Sequence, residues 1–250
     1  MAYDIFEPRI FPLFIYYIFL TSVSIIIALK MFLKWNERKT PPTLKLTIVY
    51  VFLTLALLFL VIGMAEAVIT GFFKEIYRLT FPLAYCMVVV ADIILYDFSV
   101  SITRKGQKLL VPLIIIGSAI IILVLLPWNW WGHPSVDYEG QLNIRLYTSL
   151  SFVAYSIFVY LGIATITFKV KKQAKDKIVR FGLSFLFYSV ICMILFFVFV
   201  MLDNVLIVLF NHPGYSEFVY IAWFFALLFT IFSYLSLIMP KWLVKQLKTD

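Results

Sequence analysis

LTIVYVFLTLALLFLVIGMAEAVIT, residues 46–70, holds a single charge, Glu66, close to its end. A helix needs about 20 mostly apolar residues to cross the hydrocarbon of a bilayer, and this run is long enough. Strands of a membrane barrel would alternate apolar and polar residues over about 10 positions. Here the apolar residues are continuous, so the stretch predicts a spanning helix, whose backbone groups are satisfied within the segment.

Six further runs have the same character: about 11–33, 77–99, 109–127, 144–168, 181–206 and 216–239. Charged, Pro or Gly clusters break them apart, among them KWNERKTPP (34–42), TRKGQK (103–108), PWNWWGHPSVDYEG (127–140), KVKKQAKDK (169–177) and NHPG (211–214). The break at GFFKEIYR (71–78) is short and amphipathic, and span 2 could run into it. The whole chain is 64% hydrophobic and 14% charged, against about 45–50% and 25% in soluble domains. The predicted fold class is therefore an all-α integral membrane protein, a single domain 1–250 of seven transmembrane helices, multi-pass in the cell membrane.

Lys and Arg cluster after spans 1, 3, 5 and 7, as in Lys34, Arg38, Lys39, Arg104, Lys105, Lys169, Lys171, Lys172 and Lys241. The opposite ends hold Arg9, Lys74, Arg78 and Arg145. Positive short loops stay cytoplasmic, which predicts the N-terminus outside and the C-terminus inside. The net charge of +8 then reports topology and contact with anionic lipid heads, and no nucleic-acid partner is expected. Asp4 and Glu7 precede span 1, unlike the basic start of a cleaved signal. Cys86 and Cys192 lie inside apolar runs and suggest no disulfide framework.

The outer triplets of spans echo one another, giving a possible 3+1+3 arrangement. Span 2 ends in GMAEAV with Glu66, and span 6 in VMLDNV with Asp203. Lys34 and Lys171 precede these acids by the same 32 residues. Parallel repeats occur in some transporters, although any two helices ending at an interface look somewhat alike.

Enzyme signatures are scarce. His133 and His212 lie in loops, no HExxH pair or Gly-rich phosphate loop is present, and no cofactor or metal is expected. Asp92, inside VVVADIILYD (88–97), is the intramembrane acid. A carboxylate at that depth costs about 2.5–3.5 kcal/mol on insertion scales, so it should face other helices, protonated or paired. With Tyr96 one turn away, it reads either as a switch or proton site or as hydrogen-bonding glue between helices. Asp97 falls beside Arg104 and Lys105, where a solvated ion pair is ordinary. At the outer face, Glu66, Arg78, Trp131, Asp203 and Asn204 are candidates for a ligand pocket, although the Trp residues there also suit an interfacial belt.

Families with seven spans can be tested by their required residues. No Lys lies between Tyr215 and Pro240 to hold retinal, LYDFSVSITR and FSYLSLIMP lack the triplets of animal receptors, and there is no Pro-Gln pair. VIGMAEAVITG with Glu66, YRLTFPLAY, a span 3 ending in FSVSITRKG and the basic link KVKKQAKDKIVRFG give a different pattern. Over roughly 45–240, the chain resembles the seven-transmembrane sensory region of prokaryotic histidine kinases and related signalling proteins. That resemblance implies a sensor or receptor-like protein that couples an outer ligand pocket to a cytoplasmic partner. With no kinase or cyclase after Asp250, it also implies a stand-alone module. Two alternatives stay open: a small secondary transporter using Glu66, Asp92 and Asp203, and a non-catalytic subunit of a membrane complex.

Overall fold

A computed structural model describes residues 3–103, 106–126, 145–210, 212 and 214–238. Among them are seven long helices: α1 (Phe11–Arg38), α2 (Pro41–Thr70), α3 (Glu75–Thr103), α4 (Gln107–Leu125), α5 (Arg145–Gln173), α6 (Lys177–Phe210) and α7 (Glu217–Ile238). All seven are long and apolar enough to cross a membrane. Their outward residues support the same conclusion. Ile25, Ile26, Leu29 and Leu33 on α1, and Ile114, Ile115, Ile116 and Ile122 on α4, are exposed, in rows that water would not tolerate.

Most helices outrun their apolar runs. α1 continues to Arg38 rather than stopping near 33, and α5 to Gln173 rather than 168. The hydrogen-bonded backbone gains nothing by unwinding where hydrocarbon ends, and Lys and Arg stems reach the head-group layer from the last turns. α2 does not run into 71–78. It stops at Thr70 because Gly71 takes the left-handed conformation (φ 74°) and donates its N–H to the Ala67 carbonyl at 2.9 Å, a glycine helix stop. α2 starts on Pro41 and Pro42 after an extended Thr40, where missing N–H groups cost nothing. α6 is started by Asp176, whose Oδ1 accepts the Ile178 N–H at 2.7 Å.

The chain forms two compact units, Met1–Leu95 with Val111–Phe152 and Tyr96–Leu110 with Val153–Asp250. In the first, α1 packs on α2. Polar contacts tie them: Ser24 and Thr54 share a hydroxyl hydrogen bond of 2.7 Å, and Thr47 donates to the Met31 carbonyl at 3.1 Å. Gly63 lets α2 meet α3 closely; a Cβ there would collide with the Thr80 hydroxyl and stand 3.1 Å from the Tyr77 Cα. Small residues at such crossings are the usual way membrane helices approach. From Phe73 in the α2–α3 link along α3, Phe73, Tyr77, Phe81 and Tyr85 follow at intervals of four as a column of ring contacts, and Tyr85 stacks on Phe152 of α5 at 4.4 Å.

The first unit also holds a short N-terminal strap. Ile5 pairs antiparallel with Phe72, the Phe6 N–H donating to Gly71 O and the Phe73 N–H to Asp4 O, both at 2.9 Å. In the second unit α6 packs on α7, with Phe199 stacked on Phe225 and the Ser236 hydroxyl donating to Gly182 O at 2.8 Å. Tyr160 of α5 is buried against Phe197 and Phe229.

Candidate functional site

Two of the predicted ligand acids are engaged by backbone. Glu66, near the end of α2, accepts the N–H groups of Ile76 at 3.2 Å and Tyr77 at 2.9 Å. These are amides of the first turn of α3, which have no partner within their own helix. Asp203 of α6, itself buried, accepts the Ser216 N–H at 2.9 Å. Ser216 immediately precedes α7, and its hydroxyl accepts the Phe218 N–H at 3.3 Å. Asn204 donates to Val200 O on its own helix at 2.9 Å. His212 turns the α6–α7 link, its Nδ1 accepting the Gly214 N–H at 3.2 Å.

Arg78 stands apart from these. Only 2% of it is exposed, although it sits in the first turns of α3. Its Nη1 donates to Glu75 Oε1 at 2.9 Å, and the same oxygen accepts the Tyr3 hydroxyl at 2.9 Å. The guanidinium carbon lies 4.8 Å from the centre of the Tyr3 ring, close enough for a cation–π contact. Glu75 is the open member: its side chain is 64% exposed against 3% for Arg78. Phe6 of the strap meets Phe73 edge-on at 5.9 Å, so the strap covers both the cation and the first ring of the α3 column.

Glu66 and Arg78 therefore belong to one neighbourhood in the first unit, while Asp203 and Asn204 belong to the second. Trp131, with His133, Arg104 and Lys105, lies outside the described residues. Tyr3 and Phe6 are not among the candidates that the sequence offers. The sequence signal for them is slight, a short Tyr-Asp-Ile-Phe stretch ahead of span 1, and its pairing with the Gly-Phe-Phe link runs through main-chain groups.

Asp92 is wholly buried in α3, 0% exposed, in the first unit. Tyr96, one turn on, falls in the second. There its hydroxyl donates to Gly106 O at 3.2 Å and its ring lies against Gly162, whose added Cβ would stand 3.1 Å from Cε2. The tyrosine is thus fitted to the α3–α4 link and to α5. Cys86 and Cys192 are buried free thiols. Among the described residues no three His, Cys, Asp or Glu side chains gather as a metal site.

The Arg78 cluster thus places a buried cation beside aromatic rings and one carboxylate. Seven helices long and apolar enough to cross a bilayer, among the described residues, are those of a multi-pass helical membrane protein. The chain matches no family model, no curated protein and no solved structure.

Proposed function

We propose that this chain is a sensor or receptor-like protein of the cell membrane, its N-terminus outside, which couples a small ligand at the Arg78 end of α3 to a cytoplasmic partner. The observation that carries this is the unequal ion pair. Arg78 is buried, yet Glu75, one turn earlier on the same helix, has a side chain 64% exposed. Burying a charge costs several kcal/mol and an ion pair repays that only in part, so a cation buried beside a solvated carboxylate is suited to receive a second anion. An arginine covered by a strap and answered by a solvated carboxylate can exchange that carboxylate for a ligand's own.

The lysines and arginines after spans 1, 3, 5 and 7 support the orientation, and the resemblance to prokaryotic sensory regions points the same way. α3 carries Arg78 at its start and runs to Thr103, so one element links the ligand end to the opposite loop. Shifts of about 1–2 Å in such a helix are a known switching mode. Glu66 and Asp203 serve this reading as positioning groups that seat α3 and α7. The test is a thermal-shift screen of the purified chain against pools of small anionic metabolites. A saturable rise in Tm, retained by Arg78→Lys in part and lost in Arg78→Gln, is expected. No saturable shift from any pool overturns the proposal.

A carrier is the second reading, favoured by one observation: Asp92 is completely buried within a spanning helix, and intramembrane acids mark proton paths in transporters. Gradient-driven uptake into proteoliposomes, abolished by Asp92→Asn, would support it over the sensor.

A further inference from the structure

We propose that the N-terminal strap, residues 3–7, is a lid, and that the ligand which displaces it is a small aromatic carboxylic acid. The inference rests on the sensor reading for the consequence of binding, and on geometry for the lid itself.

The strap is held to the α2–α3 link by two backbone hydrogen bonds, Phe6 N–H to Gly71 O and Phe73 N–H to Asp4 O. Its side chains do the rest: Phe6 on Phe73, and Tyr3 against Arg78 and Glu75. Ile5 between them is 70% exposed and fixes nothing in a core. What the strap covers is different in kind, since Arg78 and Phe73 are both buried. A short segment thus covers a cation and a flat ring.

The covering groups describe their replacement. Over the guanidinium lies a phenol ring, and beside it a carboxylate from Glu75. One molecule carrying an aromatic ring and a carboxylate reproduces both contacts on Arg78. Guanidinium accepts carboxylate as a two-pronged hydrogen-bond partner and stacks on aromatic faces. A cationic or purely aliphatic ligand reproduces neither or only one.

Ile5 and Phe72 are the means of testing the lid. They face each other as a non-hydrogen-bonded antiparallel pair, where Cα atoms stand about 4.5 Å apart, within disulfide reach. Ile5 is exposed and Phe72 39% exposed, so the double variant Ile5→Cys/Phe72→Cys disturbs little. The native thiols are buried.

With the full chain in nanodiscs, binding of phenylacetate is measured by calorimetry to the oxidised and reduced double variant, with benzylamine and acetate as controls. The reduced form should bind phenylacetate like the unaltered chain, and oxidation should weaken it at least ten-fold. Benzylamine should not bind, acetate should bind at least ten-fold more weakly, and Arg78→Gln should lose phenylacetate. Equal binding to the locked form overturns the lid. Failure of phenylacetate, when an anionic metabolite still shifts the Tm, overturns the ligand class while leaving the sensor reading standing. Hydrogen exchange reads the lid without any ligand. The Phe6 and Phe73 amides should exchange at least ten-fold faster than that of Val89 within α3. Exchange as slow as Val89's also overturns the lid.

Discussion

The Glu66 carboxylate, at the end of α2, accepts the backbone N–H of Tyr77, in the first turn of α3, at 2.9 Å. Asp203 on α6 stands in the same relation to Ser216 ahead of α7, also at 2.9 Å. In each case an acid late in one helix reaches forward to the start of the next. The free amides and positive dipole end of a helix favour an anion there, and little other help is at hand where water thins out. The two links differ in sequence, yet the acids do the same work.

Removing the cap should therefore be felt as lost stability. Glu66→Ala should lower stability by about 1–2 kcal/mol, the range of a lost helix cap, and Glu66→Gln by less, since one oxygen still accepts. Asp203→Asn should be near neutral, because Asn caps as well as Asp, with Asp203→Ala costing about 1 kcal/mol. Unfolding titrations in mixed micelles measure all four. Alanine variants as stable as the parent would show that neither bond matters.

Gly63 and Gly71 separate crowding from backbone strain. Gly63→Ala places a methyl against the Thr80 hydroxyl and near the Tyr77 backbone, and overpacking of this kind costs about 1–3 kcal/mol. At Gly71 nothing lies within 4 Å of an added Cβ, but φ is +74°. Gly71→Ala should then cost about 1 kcal/mol, the strain of a left-handed L-residue. Thr80→Ala should recover part of the Gly63→Ala loss and none of the Gly71→Ala loss, measured by the same titrations.

Tyr96 fills a space that two glycines leave. Tyr96→Phe keeps the ring and removes the hydroxyl that donates to Gly106 O, so it should cost about 1 kcal/mol, one net hydrogen bond. Gly162→Ala drives a methyl to 3.1 Å from the ring and should cost more than that. Thermal melts of both variants check the order. Tyr96→Phe proving the worse of the two would mean that the hydroxyl, and not the fit of the ring, holds the α3–α4 link.

Span number and material were readable because apolar runs such as 46–70 have no other stable solvent. Helix ends were less so: at Arg38 and Gln173 the chain stays helical through charged residues, and hydropathy does not report that. The acids Glu66 and Asp203 were visible as intramembrane carboxylates near interfaces, but their partners are backbone amides, which carry no sequence signature. Arg78 could be named from the sequence. Its cover could not, because the bridge between Ile5 and Phe72 joins residues far apart in the chain through main-chain groups.

Asp92 remains the residue on which glue and switch differ, and substitution can separate them. It is wholly buried, where a carboxyl is costly unless it is hydrogen-bonded. Asn has nearly the same shape and keeps an acceptor and a donor; Leu keeps only volume. As interhelical glue, Asp92→Asn should melt close to the parent, and Asp92→Leu should lose about 0.6–2 kcal/mol, the scale of hydrogen bonds between membrane helices. Ligand-dependent Tm shifts should survive in Asp92→Asn, because the Arg78 end of α3 lies more than three turns away. Should Asp92→Leu prove as stable as the parent, the acid is no glue, and an insertion cost of about 2.5–3.5 kcal/mol would be sustained by function alone.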